Sequence, residues 1–68
     1  MREPRVIRYL LYCRLCSLAE RAYLQQRYDS AAALFVDAAT HAPDAVEETD
    51  TLNWAWKALM RIGDREPA

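Results

Sequence analysis

The chain has 68 residues, nine basic and ten acidic side chains, a formal net charge of −1, one glycine and an apolar share of 53%. That length leaves room for one small domain or part of a repeat array, and the near-neutral balance gives no global basic footprint for nucleic acid. A body this small buries only about 60% of its unfolded surface, so this much apolar sequence points to association.

The opening MREPRVIRYLLYCRLC pairs a basic start with an apolar run. Arg8 and Arg14 interrupt that run and no small-residue cleavage site follows, which argues against a signal peptide. No uninterrupted apolar stretch of about 18 residues occurs, so no membrane span is expected. A cytoplasmic setting follows as the expectation, and Met1 suits a natural start.

Glu3-Pro4 suits a helix start, because proline fits the first helical position and an acid favours the positive end. From Pro4 to about Gln26 neither glycine nor proline intervenes, and good helix formers dominate. At about 100° per residue, Ile7, Leu11, Leu15, Leu18 and Ala22 share one stripe, with Ala19 beside it. This stripe is the expected buried face. A second apolar strip, Val6, Tyr9, Leu10, Cys13, Cys16 and Leu24, lies roughly opposite. A helix apolar on two sides must be covered on two sides. Either a third helix or something outside the chain covers the second strip.

Cys13 and Cys16 form C-x-x-C, a spacing used by redox pairs and by half of a metal site. A tetrahedral metal needs four ligands, and His41 is the one further good candidate, far along the chain. The cysteines sit inside a helical pattern, so they read as two small apolar residues one turn apart. Neither a metal nor any other cofactor is expected.

The second helix is predicted over about 29–42. Asp29 or Ser30 can accept hydrogen bonds from first-turn amides, and Tyr28, Ala31, Phe35, Ala38 and Ala42 mark its buried face. The many alanines leave little side chain between backbones, so a neighbouring helix can come close. His41 suits the negative terminus, and Pro43 discourages further helix.

The third helix is predicted over about 47–62. Asp44 followed by Glu47 resembles a capping box, although Thr49 or Asp50 can equally open the helix. Leu52, Ala55, Trp56, Leu59 and Ile62 trace its expected core stripe, ending at Gly63 as a left-handed stop before a flexible 63–68. Trp54 falls about 200° from Trp56, on a polar face. There it is either packed under a neighbouring segment or offered to a partner.

The order Tyr28-x-x-Ala31-x-x-x-Phe35-x-x-Ala38-x-x-x-x-Pro43 resembles the second half of a tetratricopeptide repeat. In that register Leu15 stands where the family prefers Trp, Leu18 matches its Leu, Ala19 replaces Gly and Ala22 replaces Tyr. Gln26 replaces the usual inter-helix Gly. Leu52-x-x-Ala55-Trp56-x-x-Leu59-x-x-x-Gly63 is similar to a second repeat start, so the resemblance covers about residues 12–63. Microtubule-interacting-and-transport domains, three-helix bundles of similar length, carry a similar Y-x-x-A second helix. The fold expected is all-α: a three-helix antiparallel bundle made of a repeat-like hairpin plus a third helix.

The resemblance implies a partner peptide or helix against helix one, contacting Val6, Tyr9, Leu10, Cys13, Arg14 and Trp54. Arg5, Arg8 and Arg14 would then set register against acidic partner residues. The function expected is that of a small non-enzymatic interaction module, an adaptor or chaperone-like subunit. The alternatives are a homo-oligomer with no separate ligand and a three-helix peptide-binding bundle. A homodimer can bring the arginine-rich N-terminus of each copy near the acidic 44–50 segment of the other. Nucleic acid is not expected as a partner. No nucleotide-binding, zinc-protease or serine-hydrolase motif is present, so an enzyme is not expected.

Overall fold

The computed structural model describes residues 4–65, with side chains over 6–63. Three helices follow one another: α1 (Pro4–Leu24), α2 (Tyr28–Ala39) and α3 (Ala45–Arg65). No strand occurs among the described residues. The molecule is an all-α three-helix bundle in which α1 and α3 both pack on α2. Residues 1–3 and 66–68, and the side chains of residues 4, 5, 64 and 65, lie outside the described residues, so the expected roles of Arg2, Glu3, Arg5 and the 64–68 tail fall there.

Side-chain contacts fix the helix directions. The N-terminal half of α1 meets the end of α2 through Arg8, which donates to the Thr40 carbonyl at 3.1 Å, and the start of α3 through Tyr12 and Glu47 at 3.1 Å. The C-terminal half of α1 meets the start of α2 through Tyr23 and Tyr28, and later turns of α3 through Tyr23 and Trp54. Helix α2 is therefore antiparallel to both neighbours, and α1 runs parallel to α3.

Each helix end has a local cause. Arg27 N–H bonds the Ala22 carbonyl at 2.9 Å and Gln26 N–H bonds that of Tyr23 at 3.0 Å, the paired contacts of a Schellman turn. Gln26 takes φ 64° to make this turn, in the left-handed region that glycine occupies without strain. At α3, Asp44 Oδ1 accepts the Glu47 N–H at 2.9 Å, which starts the helix at Ala45. Asp29 lies within the first turn of α2, not ahead of it, and its Oδ1 accepts the Ser30 N–H at 2.8 Å. Helix α2 ends at Ala39, three residues earlier than expected, where the Thr40 hydroxyl donates to the Asp37 carbonyl at 2.7 Å. Gly63 does not stop α3: no glycine among the described residues has positive φ, and the helix runs on through Arg65.

The core is built from small residues. Among the described residues eight alanines (19, 22, 31, 32, 38, 39, 55 and 58) are buried, joined only by Tyr12, Phe35 and Thr51. Small residues let helix axes approach, but a buried methyl contributes much less than the ~1.5–3 kcal/mol of a large apolar side chain. Among the described residues, fourteen large hydrophobic side chains remain exposed. The backbone spans 54 × 21 × 12 Å. Two stacked helix layers need roughly 13–15 Å between outermost Cα atoms, so the bundle is shallow.

This packing corrects two expected stripes. In α1 the seam runs through Tyr12, Leu15, Cys16, Ala19, Ala22 and Tyr23; it keeps Leu15, Ala19 and Ala22 of the expected face and is rotated from the leucine stripe by ~75°. Ile7, Leu11 and Leu18 are left exposed. In α3 the seam is Thr51, Ala55 and Ala58, while Leu52, Trp56 and Leu59 face outward and Trp56 is 64% exposed. One physical reason serves both. Close approach to an alanine-rich α2 selects the small faces of α1 and α3 and turns the bulky ones away.

Candidate functional site

The first two turns of α1 pass the end of α2, since Arg8 already reaches Thr40, the cap residue of α2. All residues from Val6 to Leu11 are exposed. Val6, Arg8 and Tyr9 form one wall of a 340 Å³ cleft whose other wall is His41, Ala42 and Pro43. His41 is held by the α2 terminus, its Nδ1 lying 3.0 Å from the Thr40 hydroxyl and 3.4 Å from the Asp37 carbonyl. Pro43 sits exposed in the connection to α3.

A second groove runs between α1 and α3 over Phe35. Tyr12 and Cys16 on one side face Thr51 and Trp54 on the other, in a space of 420 Å³. The Tyr12 hydroxyl lies 2.8 Å from the Thr51 hydroxyl and donates to Glu47 Oε1 at 3.1 Å. The Thr51 hydroxyl donates to the Glu47 carbonyl at 2.7 Å. Glu47 thus turns toward Tyr12 instead of closing a capping box. Burial pushes the Tyr12 phenol up to about 12. Burial also raises the Cys16 thiol above its ordinary value, which lowers the thiolate fraction available for redox or metal chemistry. Both cysteines are free thiols.

The structure brings together some of the expected contact residues and separates others. Val6 and Tyr9 share the N-terminal cleft, and Cys13 and Trp54 both line the α1–α3 groove. Leu10 and Arg14 are exposed on the outer side of α1, one turn apart. Trp54 has an internal role. Its ring packs edge-on against Tyr23 at 5.7 Å, stacks on Phe35 at 6.0 Å and carries Lys57 Nζ 4.6 Å from its centroid, leaving 45% of the residue exposed. It ties all three helices together.

Among the repeat-like positions, Ala19, Ala22, Ala31, Phe35 and Ala38 are buried, Leu15 and Tyr28 are half-buried, and Leu18 is exposed. Sequence reasoning missed Tyr12 and Thr51. Tyr12 falls between the two apolar strips of α1, and Thr51 reads as polar surface unless a hydroxyl partner is placed opposite it.

Among the described residues no three His, Cys, Asp or Glu side chains gather to hold a metal ion, and no helix is long and apolar enough to cross a membrane. No protein-family model matches the chain, and no curated protein or solved structure is significantly similar to it.

Proposed function

We propose that this chain is a small non-enzymatic interaction module, a cytoplasmic adaptor or chaperone-like subunit built on a tetratricopeptide-like hairpin. It presents the N-terminal end of α1 to a partner polypeptide. One observation carries the reading. Val6, Ile7, Tyr9, Leu10 and Leu11 are each 43–62% exposed, and at about 100° per residue they cover an arc of roughly 200° around the helix end. An apolar arc that wide is stable when it is covered, and the cleft wall of His41, Ala42 and Pro43 stands beside Val6 and Tyr9 without burying them.

The partner chemistry follows from charge. The described side chains of α1 include Arg8, Arg14 and Arg21 against the single acid Glu20. An amphipathic helix with apolar anchors beside acidic residues complements that surface. Leu10, 62% exposed, has no place in the core, so Leu10→Asp removes an anchor and leaves the fold alone. Co-purification from the native cell is expected to lose the partner with Leu10→Asp while far-ultraviolet circular dichroism stays unchanged. Undiminished recovery of the partner would contradict this surface.

A further inference from the structure

We infer that copies of this chain dock head-to-tail, with the outer ridge of α1 of one copy seated in the furrow between α2 and α3 of the next. The furrow is a 680 Å³ space whose apolar walls are Val36 on α2 and Leu59 and Ile62 on α3. In the isolated chain Val36 and Leu59 are 46% and 49% exposed. The charged groups lining the furrow are Asp29 and Asp37, both on α2 and both exposed. Helix α2 carries no base. The described bases of α3 are turned to the other side, where Lys57 Nζ sits over the Trp54 ring and Arg61 Nε donates to the Tyr23 hydroxyl at 3.3 Å. The furrow is therefore apolar and acidic, and its complement is an apolar helix that carries bases.

The molecule itself carries such a helix. Leu11, Arg14, Leu18 and Arg21 are spaced by three, four and three residues, and all are exposed. At about 100° per residue they fall within ~80° of one another and form one ridge along α1. Glu20, the one acid among the described side chains of α1, lies ~160° round from Leu18. The ridge meets the partner surface proposed above at Leu11 and runs from there toward the other end of the helix. Its dimensions suit the furrow. Leu11 to Arg21 spans about 15 Å, and the twelve residues of α2 that wall the furrow span about 18 Å. Arg14 and Arg21 stand about 10 Å apart along their axis, and Asp29 and Asp37 about 12 Å along theirs. A ridge of this spacing seats between the side-chain rows of neighbouring helices. Leu11 and Leu18 then meet Val36, Leu59 and Ile62, and the two arginines meet the two aspartates.

Ridge and furrow are different patches of the chain, so the contact is heterologous, and each pairing leaves one ridge and one furrow free for further copies. A copy whose ridge is blocked still offers its furrow, and a copy whose furrow is blocked still offers its ridge.

Sedimentation velocity of the purified full chain over the micromolar range tests the inference. The weight-average mass of the wild type is expected to climb with concentration past twice 7.9 kDa. Leu18→Asp blocks the ridge and Val36→Asp blocks the furrow, and each alone is expected to weaken association at least tenfold. Both side chains are exposed, so the fold tolerates the changes, and helicity by circular dichroism checks this. An equimolar mixture of the two variants is expected to regain a species of two copies, one intact ridge in one intact furrow. Tyr9→Asp, on the partner surface and ~180° round from Leu18, is expected to assemble as the wild type does. A wild type that stays at 7.9 kDa throughout overturns the inference and leaves the partner reading, tested by co-purification, intact. A wild type that stops at two copies, a mixture no heavier than its components, or an assembly broken by Tyr9→Asp also overturns it.

Discussion

Tyr12 is where a single side chain joins two helices whose backbones barely meet. Its ring is buried, and its hydroxyl reaches Thr51 and Glu47, both on α3. Tyr12→Phe keeps the ring and deletes these bonds, at an expected cost of about 1 kcal/mol in denaturant unfolding. The phenol also ties stability to pH. The native state holds its proton up to about 12, whereas an unfolded tyrosine releases it near about 10. Between those values the native state binds the extra proton, so stability is complete below about pH 10 and falls as pH rises, by at most ~1.4 kcal/mol per unit. The gap between wild type and Tyr12→Phe is expected to shrink over this alkaline window. A constant gap from pH 9 to 12 would show that the phenol is not coupled to folding.

At the scale of helices, the small glycine content decides where flexibility lies. Gly63 is inside α3, has no positive φ, and an added Cβ there would meet nothing within 4 Å. Gly63→Ala is therefore expected to stabilise the chain by about 0.5–1 kcal/mol, through helix propensity and a restricted unfolded state. A loss of thermal stability would mean that the helix does end there after all. The sequence suggested glycine as a stop because α3 has no other terminator nearby. The left-handed residue is instead Gln26, at the position where the repeat-like register has an inter-helix Gly. Helix existence, order and the Asp44 cap were legible from periodicity and capping chemistry. The rotation of α1 and α3 was not, because a leucine stripe and an alanine stripe compete and only the neighbouring helix decides between them. Here α2 presents alanines, close packing wins, and Leu18 and Trp56 are turned outward.

For the whole molecule, the balance between hidden and shown surface governs behaviour. Among the described residues a core of eight alanines with Tyr12, Phe35 and Thr51 holds three helices together, while fourteen large apolar side chains stay in contact with water. Composition alone showed that apolar sequence exceeded the available interior. It did not show which residues would be left out, since Val6, Tyr9 and Leu10 were expected outside whereas Ile7, Leu11 and Trp56 were expected inside. The exposed set includes the first turns of α1, from Val6 to Leu11. Any ligand that binds only the folded chain adds stability by mass action, so a covered molecule is expected to be more stable than an isolated one.

The most direct measurement is the native mass of the particle taken from its own cell under mild lysis. The chain alone is 7.9 kDa. The account expects a mass well above that value, with the exposed first turns of α1 shielded by a companion. A lone particle of 7.9 kDa that binds no apolar dye would contradict it.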